Sequence, residues 1–337
     1  VGSNLRKDHP LFAQRIRQAA RHGCQVSVVD SALADWAMPV KHSLLQPAAQ
    51  WVAALGGIAA AVAQEKGASA PAGAGAVTEG ALAIARTLLG GERKALLLGN
   101  AAAHHAQATQ LLALANWIGE NTGASVGYLT EAANTVGAQF VGAHPVNGGL
   151  NAGQMLSGGL KAALLLNTEP VYDSAAGASA AATLSGADMV ITLSPFKANM
   201  EFSDVLLPIA PFTETSGSFV NAEGRLQSFH AVVRPLGDAR PAWKVLRVLA
   251  NLLGVPGFDF ETSQDVLARA TNAPAGTVTQ LAAAQMSNAV KTVPVAATAA
   301  AGEPVVASIY QLDGLVRRST SLQLTADARM AREGVAA

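Results

Sequence analysis

The stretch from residue 201 to residue 254 constrains the fold most, because several local signals there agree on one arrangement. Residues 204–208 form a short apolar run closed by a proline, which is typical of a buried strand that ends there. Two further strand-like runs flank the loop at 221–224, whose final glycine can supply the positive φ that closes a hairpin. Pro241 then begins a helix with one apolar face, and Gly254 ends it. The sequence therefore predicts a strand, a hairpin and a helix in succession.

Along the rest of the chain, short apolar runs alternate with segments of helical spacing. This order favours a parallel sheet with right-handed crossovers, so we expect an α/β fold of mostly parallel sheets flanked by helices. We predict that residues 36–47 are irregular and that residues 122–159 form loops rich in glycine and asparagine. The further predicted strands are 25–30, 94–100, 161–167 and 188–193, and the further predicted helices begin near Pro10 and span 48–66, 79–89, 105–119, 173–184 and 263–270.

Shifts in composition divide the chain into five predicted segments. Low-complexity stretches rich in alanine, with glycine and proline, interrupt the α/β pattern twice, and we expect them to be flexible or loosely ordered connections. A polar tail follows the second of them, and we interpret its Arg317 and Arg318 as residues that dock on a neighbouring protein. Residues 1–66 and 79–271 are the two α/β parts, and the second contains residues 201–254. Residues 67–78 and 272–304 are the linkers, and the second linker has a short predicted helix near 278–290. Residues 305–337 are the tail.

Charge and composition argue against several classes of protein. With 23 basic and 23 acidic residues, the chain has no net field that would hold a nucleic acid. Its single cysteine, Cys24, excludes an internal disulfide and an iron–sulfur cluster held by several cysteines of this chain, and we predict a buried, inert thiol. The longest apolar run, near residues 51–63, is shorter than the roughly 20 residues of a membrane-spanning helix. The seven histidines lack metal-ligand spacing, and the adjacent His104 and His105 cannot share a metal.

Three predicted strands have an asparagine at their carboxyl ends. The run at residues 1–4 closes with Ser3 and Asn4. It resembles the end of a strand that begins upstream, so we expect the chain to be a fragment of a longer protein. The other two end at Asn100 and Asn167. Ligands bind at this edge of open parallel sheets. An asparagine there can contact a ligand, but it can equally hydrogen-bond the backbone of the following loop, so the residues alone leave both roles open.

A family resemblance rests mainly on the 201–254 stretch. The residues that resemble the signature of the molybdopterin oxidoreductase superfamily are DVLLP at 204–208, Glu214, Ser216, Gly217 and NAEGR at 221–225. The chain is more closely similar to one branch, the large iron–sulfur subunit of bacterial NADH-quinone oxidoreductase, which we call the respiratory branch. The segments that carry this similarity are 211–229, 232–254 and 315–329. The resemblance covers most of the chain and is weakest in the alanine-rich stretches.

The resemblance implies the fold of the molybdopterin enzymes without their carboxyl-terminal β-barrel, because helices and linkers follow Arg240. In cofactor-binding members, strand ends and the Asn-Glu-Gly-Arg region surround a pterin dinucleotide. Proteins of the respiratory branch resemble family members that keep this fold but lack the molybdenum cofactor. We therefore expect a vestigial pocket, with no catalytic, cofactor-binding or metal-binding residue in this stretch. The residues that match the pocket are Ser3, Asn4, Asn100, Asn167, Asn221 and Arg225.

The same resemblance implies a role for the parent protein in electron transfer. Members of the respiratory branch pass electrons from NADH towards quinone, and the iron–sulfur clusters are expected in an amino-terminal part that precedes this stretch. The expected partners are other proteins of the peripheral arm of the enzyme, on the cytoplasmic side of the bacterial inner membrane, with no nucleic acid and no membrane span. The alternative is the cofactor domain of an active molybdopterin oxidoreductase such as a formate dehydrogenase, which would need the molybdopterin.

Overall fold

The computed structural model describes residues 1–288 and 308–332. The chain falls into two compact units, which we call unit 1, Val1–Glu131 with Ser287–Ala337, and unit 2, Ala132–Met286. The boundary after Glu131 lies inside the predicted segment 79–271. Both units combine short, mostly parallel strands with helices, which confirms the predicted α/β class.

Short strands alternate with helices along the described residues. The strands are β1 Ser27–Asp30, β2 His42–Leu45, β3 Ala95–Leu98, β4 Ser125–Tyr128, β5 Ala162–Leu166, β6 Met189–Ser194, β7 Val205–Pro208, β8 Gly217–Val220 and β9 Leu226–Phe229. The helices are α1 Leu5–Asp8, α2 Pro10–Arg21, α3 Trp51–Lys66, α4 Glu79–Gly90, α5 Asn100–Ala103, α6 Ala108–Thr122, α7 Thr135–Phe140, α8 Ala152–Met155, α9 Pro170–Asp173, α10 Ser179–Ser185, α11 Ala242–Leu252, α12 Ser263–Thr271, α13 Ile309–Leu312, α14 Thr320–Gln323 and α15 Ala326–Arg332. Within this part of the chain, no helix has both the length and the hydropathy that crossing a membrane requires.

In unit 1 the first residues of the chain join two pairs of parallel strands. Strand β1 pairs with β2, and β3 pairs with β4. The Gly2 amide donates to the Val29 carbonyl at 2.9 Å, and the Gly99 amide donates to the Val1 carbonyl at 2.8 Å. The backbone at residues 1–2 therefore runs between β1 and β3. The helix and the strand predicted after the first residues are confirmed as α2 and β1, whereas residues 1–4 form no regular strand.

The core of unit 1 forms around α3, which is apolar on nearly all sides. Gly56 and Gly57 lie inside this helix, where a glycine costs about 1 kcal/mol relative to alanine. They are needed because the chain crosses the helix closely. A Cβ atom at Gly56 would lie 2.8 Å from the Gly75 nitrogen, and one at Gly57 would lie 2.7 Å from the Ala76 oxygen. Part of the predicted linker 67–78 thus packs against α3.

Unit 2 contains a three-stranded parallel sheet and the predicted hairpin. The parallel sheet has the order β5-β6-β7, and β8 pairs with β9 in antiparallel register. Gly224 closes the hairpin with a φ of +78°, as its place at the end of the loop predicts. Strand β7 ends at Pro208, and α11 begins directly after Pro241. The strand, the hairpin and the helix predicted within residues 201–254 are confirmed.

Three local predictions are wrong. Residues 36–47 include β2, and residues 122–159 include β4, because pairing with a neighbouring strand, which the sequence does not display, decides the structure of these four-residue runs. Cys24 is exposed rather than buried. It follows Gly23, which has a φ of +94° and turns the chain away from the end of α2.

Part of the predicted linker 272–304 packs against the hairpin of unit 2. Gln280 forms an isolated β-bridge with Arg225, and Leu281 is buried in the cluster of the hairpin. The helix predicted near 278–290 is, within the described residues, a 3₁₀ segment at Ala283–Met286, and its predicted end lies outside them.

The described part of the predicted tail, residues 308–332, belongs to unit 1. Lys7 forms an ion pair with Asp327 of this segment. Arg317 and Arg318 each donate to a backbone carbonyl of the segment at 3.0 Å. The two guanidinium groups therefore help to fix the conformation of the tail itself.

Candidate functional site

The carboxyl edge of the parallel strands in unit 1 brings together three of the six predicted pocket residues. Ser3 and Asn4 follow residues 1–2, which run between β1 and β3, and Asn100 follows β3 after Gly99. A Cβ atom at Gly99 would lie 2.3 Å from the Ser3 Cβ and 2.4 Å from the Gly2 oxygen. Only glycine fits at this close approach of two backbones. The backbone segments that carry Ser3 and Asn100 consequently lie side by side.

Three buried polar side chains, Ser3, His9 and Asn100, lie near this edge in residues that are 7%, 7% and 9% exposed. His9 and Asn100 share a side-chain hydrogen bond, whereas Ser3 Oγ has no hydrogen-bond partner among the described residues. Buried polar atoms are nearly always satisfied by protein or water, and an exception marks a place that can take a water or a polar ligand. The edge therefore has hydrogen-bonding capacity that the protein itself does not use.

Three carboxylates gather at the same edge. Asp30 ends β1, and its Oδ2 accepts the Ser3 amide at 3.2 Å. Burial raises the pKa of Asp30 and that of Asp8, which ends α1. The charges of Glu131 and Asp30 raise the pKa of Asp8 further. Asp8 is thus close enough to Asp30 and to Glu131 for its carboxylate to be repelled by both.

Two histidines lie among these carboxylates. His104 Nε2 and Glu131 Oε2 lie 2.6 Å apart, and this hydrogen bond raises the pKa of His104 and lowers that of Glu131. Burial lowers the pKa of His9, against the opposing charge of Asp8. His9 is therefore mostly neutral at neutral pH, whereas His104 carries more positive charge than an isolated histidine would.

The balance of charge decides which ligand this edge can accept. Arg6 and Lys7 of α1 are already paired with the carboxylates of Asp35 and Asp327. Glu131 is paired with His104, so a pyrophosphate group would add two negative charges beside the carboxylates of Asp8 and Asp30, and like charges in a partly buried site repel. A neutral or cationic group would meet no such repulsion. The residues of this edge do not fit the phosphates of a pterin dinucleotide.

The other three predicted pocket residues lie in unit 2. Asn167 follows β5, is exposed, has a φ of +50°, and its amide donates to the Leu193 carbonyl at 2.8 Å. Asn221 Oδ1 accepts the amides of Glu223 at 3.0 Å and of Arg225 at 2.9 Å. Asn221 therefore shapes the hairpin turn, and the side chain of Arg225 is exposed. Asn167 and Asn221 follow strands of two separate sheets of this unit.

Sequence reasoning missed Asp8, His9, Asp30 and Glu131 as members of the edge in unit 1. Asp30 gives the same signal as the asparagines, because it is the polar residue that ends a strand. Glu131 follows β4, which the sequence does not predict, so the position of Glu131 at this edge could not be predicted either. Asp8 and His9 reach the edge through the short helix α1, whose four residues carry no periodic signal.

Other polar residues of the 201–254 stretch have structural partners. Glu214 Oε2 accepts the Leu236 amide at 3.1 Å, and the hydroxyl groups of Ser216 and Ser263 lie 2.7 Å apart. These contacts fix loops and a helix start. In residues 1–288 and 308–332, no group of three or more histidine, cysteine, aspartate or glutamate side chains could hold a metal ion.

Comparison with known proteins identifies the family. The family model described as Molybdopterin oxidoreductase matches residues 1–252, well over half of the chain. A Bacillus subtilis (strain 168) protein named a probable oxidoreductase is 40% identical over 70 residues, 21% of this chain and 7% of that protein. A protein of Staphylococcus aureus (strain bovine RF122 / ET3-1), provisionally named a formate dehydrogenase, is 43% identical over 53 residues, 16% of this chain and 5% of that protein. The matches thus span a small fraction of the length of these relatives. The chain belongs to the molybdopterin oxidoreductase family.

Proposed function

We propose that this chain is a structural domain, without a molybdenum cofactor, of a redox enzyme like the large iron–sulfur subunit of NADH-quinone oxidoreductase. Family membership supports an oxidoreductase at the coarse level. The similarity of residues 211–229, 232–254 and 315–329 to the respiratory branch supports the finer assignment. In this proposal the domain keeps the fold of the family and supports neighbouring parts of the enzyme.

The observation that carries the proposal is the negative charge at the carboxyl edge of unit 1. Asp8 and Asp30 lie where the family resemblance would put a pterin dinucleotide, and their carboxylates disfavour its phosphates, whereas the charge of Glu131 is paired with His104. In unit 2, Asn221 supports the same view, because its side-chain oxygen already accepts two backbone amides of its own turn. Neither group is arranged to hold an anionic cofactor.

The proposed parent enzyme passes electrons from NADH towards quinone. Its iron–sulfur clusters would be held by cysteines outside this stretch, since Cys24 is the single cysteine here. The proposed partners are other proteins of the peripheral arm, on the cytoplasmic side of the bacterial inner membrane. Within such an assembly, this domain would contribute stability and contact surface, and the redox chemistry would occur at the clusters.

A second candidate is the cofactor domain of an active molybdopterin oxidoreductase. Two observations favour it. A similar protein is provisionally named a formate dehydrogenase, and the unsatisfied Ser3 Oγ could hydrogen-bond a neutral heterocycle. Under this candidate, the unit 1 edge would contact the pterin or base part of the cofactor. The negative charge at the edge argues against it.

The deciding experiment measures molybdenum and tungsten by elemental mass spectrometry in the purified parent enzyme, together with the fluorescence of oxidised pterin released from the same sample. The structural proposal expects neither metal nor pterin in a preparation that oxidises NADH with quinone. Near-stoichiometric metal and pterin would overturn it.

A pair of variants makes the same test specific to the edge. Under the second candidate, Asn100→Ala lowers the content of pterin, whereas Asn251→Ala, at an exposed position of α11, leaves it unchanged. Under the structural proposal, both variants and the wild type lack pterin alike.

A further inference from the structure

Helix α11 is apolar on a side that unit 2 does not cover. Ala250 is buried, so one side of the helix packs against the unit. Val248 and Leu252 lie four residues apart, and hence on one stripe, but they are 53% and 80% exposed. Leu253, at the end of the helix, is also largely exposed. The apolar stripe of a surface helix normally faces a packed core, so this stripe requires another cover.

The loop before α11 extends this apolar surface. Val232, Val233 and Leu236 are more than half exposed. The loop is nevertheless held in place, because the Val232 amide donates to the Thr213 carbonyl at 2.8 Å and the Leu236 amide donates to Glu214 Oε2 at 3.1 Å. Exposed apolar side chains on a fixed backbone form a surface that is ready for contact without a large ordering cost.

A groove between this loop and the start of α11 carries mostly positive charge. Its cationic side chains are Arg234, Arg240 and Lys244, and its carboxylates are Glu214 and Glu261. The Glu214 carboxylate already accepts a backbone amide. Helix α11 also lacks a side-chain cap at its amino end, which leaves partial positive charge there. The surface is therefore apolar along α11 and positively charged at the amino end of the helix.

We propose that α11 and the loop at 231–236 form a docking surface for an amphipathic helix of a different protein of the same assembly. The apolar side of that helix would cover Val248 and Leu252, and its carboxylates would lie against Arg234 and Lys244. A stripe of side chains four residues apart forms a ridge that packs into the groove of a second helix. The complementary charges fix which end of the partner helix meets the groove. The proposal deepens the structural role proposed above, since it names the surface through which the domain would support a neighbour.

The test places a photo-crosslinking amino acid at Leu252 in the full parent protein, in cells, and identifies the crosslinked peptide by mass spectrometry. The expected product joins Leu252 to a peptide of a different protein with apolar residues at helical spacing and with aspartate or glutamate. The matched control carries the same crosslinker at Leu11, which is 77% exposed on α2 of unit 1, and yields no such product. A crosslink to the same polypeptide, a crosslink to a second copy of it, or a yield no higher than at Leu11 would overturn the proposal.

A second arm tests the charges and the apolar contact separately. Arg234→Glu with Lys244→Glu should lower the crosslink yield at Leu252 about tenfold, and Val248→Ser should lower retention of the crosslinked partner to a similar extent. These side chains are exposed, so the melting temperature should not fall, and Leu11→Ser should leave retention unchanged. Unchanged yield and retention in these variants would contradict the docking surface. The metal and pterin contents of the same preparations are measured independently, so a cofactor-loaded enzyme would overturn the proposed function without changing the crosslinking result.

Discussion

His104 Nε2 and Glu131 Oε2 lie 2.6 Å apart at the carboxyl edge of unit 1. The hydrogen bond raises the pKa of the histidine above 6.5 and lowers the pKa of the glutamate below 4.5. Each group therefore favours the charged form of the other. Between these two ordinary values both groups favour their ionised forms, and the contribution of the pair to stability is greatest there.

Glu131→Gln should lower the pKa of His104, because the charge that favours the imidazolium is removed. Nuclear magnetic resonance of the labelled histidine ring across a pH titration measures this directly. Glu120→Gln, at an exposed glutamate of α6 in the same unit, is the matched control and should leave the His104 titration unchanged. An unshifted His104 in the Glu131 variant would show that the pair does not form in solution.

The two pKa shifts set the pH range in which the pair of His104 and Glu131 stabilises the folded state. The raised pKa of His104 gives stability that is complete below 6.5 and is lost as pH rises through the higher value in the folded state. The lowered pKa of Glu131 gives stability that is present above 4.5 and is lost as pH falls through the lower value. Both side chains are more than a third exposed, so solvent screening limits the effect to about 0–1 kcal/mol.

His9→Gln should make unfolding less sensitive to acid. Burial lowers the pKa of His9 below 6.5, so the unfolded chain takes up this proton first, and wild-type stability is lost as pH falls through 6.5 towards the folded value. The charge of Asp8, the hydrogen bond with Asn100 and the charge of Glu131 oppose the effect of burial only in part. Glutamine cannot be protonated and removes the difference.

The measurement for His9 is the midpoint of urea unfolding of the full protein at about pH 7 and about pH 5. The midpoint should fall less on acidification in the His9→Gln protein than in the wild type. His22→Gln, at an exposed histidine beyond α2, is the control. Equal acid dependence in the His9 variant and the wild type would show that His9 is not held in its neutral form.

The hairpin was predictable because its chemistry is local. Gly224 supplies a positive φ at the position where a four-residue loop needs one, and Pro241 marks the start of α11 within two residues. Signals of this kind depend on the residue itself and its immediate neighbours. The sequence therefore predicts the strand, turn and helix between residues 201 and 254 without knowledge of the rest of the fold.

The carboxyl edge of unit 1 was only partly predictable, because its members come from different elements. Ser3 and Asn100 could be found as polar residues after predicted strands. Glu131 and His9 reach the edge only through β4 and α1, which have four residues each. Such short elements are decided by pairing and packing with distant parts of the chain, and these contacts leave no periodic pattern in the sequence.

Gly57→Ala should destabilise the protein although alanine is the better helix former. A Cβ atom at this position would lie 2.7 Å from the Ala76 oxygen, so the backbone that crosses α3 would have to shift. Overpacking of this kind typically costs about 1–3 kcal/mol, which exceeds the gain of about 1 kcal/mol in helix propensity. Thermal and urea unfolding measure the difference.

Gly90→Ala is the matched comparison for Gly57→Ala. It lies in the last turn of α4, and a Cβ atom there would have no heavy atom within 4 Å. It should leave stability unchanged or raise it by up to about 1 kcal/mol. If Gly57→Ala stabilises the protein as much as Gly90→Ala, the close crossing of α3 is contradicted.

Gly224→Val should destabilise the hairpin of unit 2 by about 1–3 kcal/mol, because a β-branched residue is forced to a φ of +78°. A Cβ atom there would also lie 2.0 Å from Met286 Sδ, so the methionine would have to leave its position against the hairpin. Gly257 has a φ of +87° in open space, so Gly257→Val carries the backbone strain without the contact. Gly224→Val should therefore lower the midpoint of urea unfolding more than Gly257→Val does, and Met286→Ala in the same chain should remove most of that excess.

Asparagine tolerates positive φ, so Gly224→Asn should cost less than valine. An unchanged unfolding midpoint for Gly224→Val would mean that this glycine does not close the turn. If Gly224→Val remains more destabilising than Gly257→Val in the Met286→Ala background, the additional destabilisation comes from a contact other than the methionine.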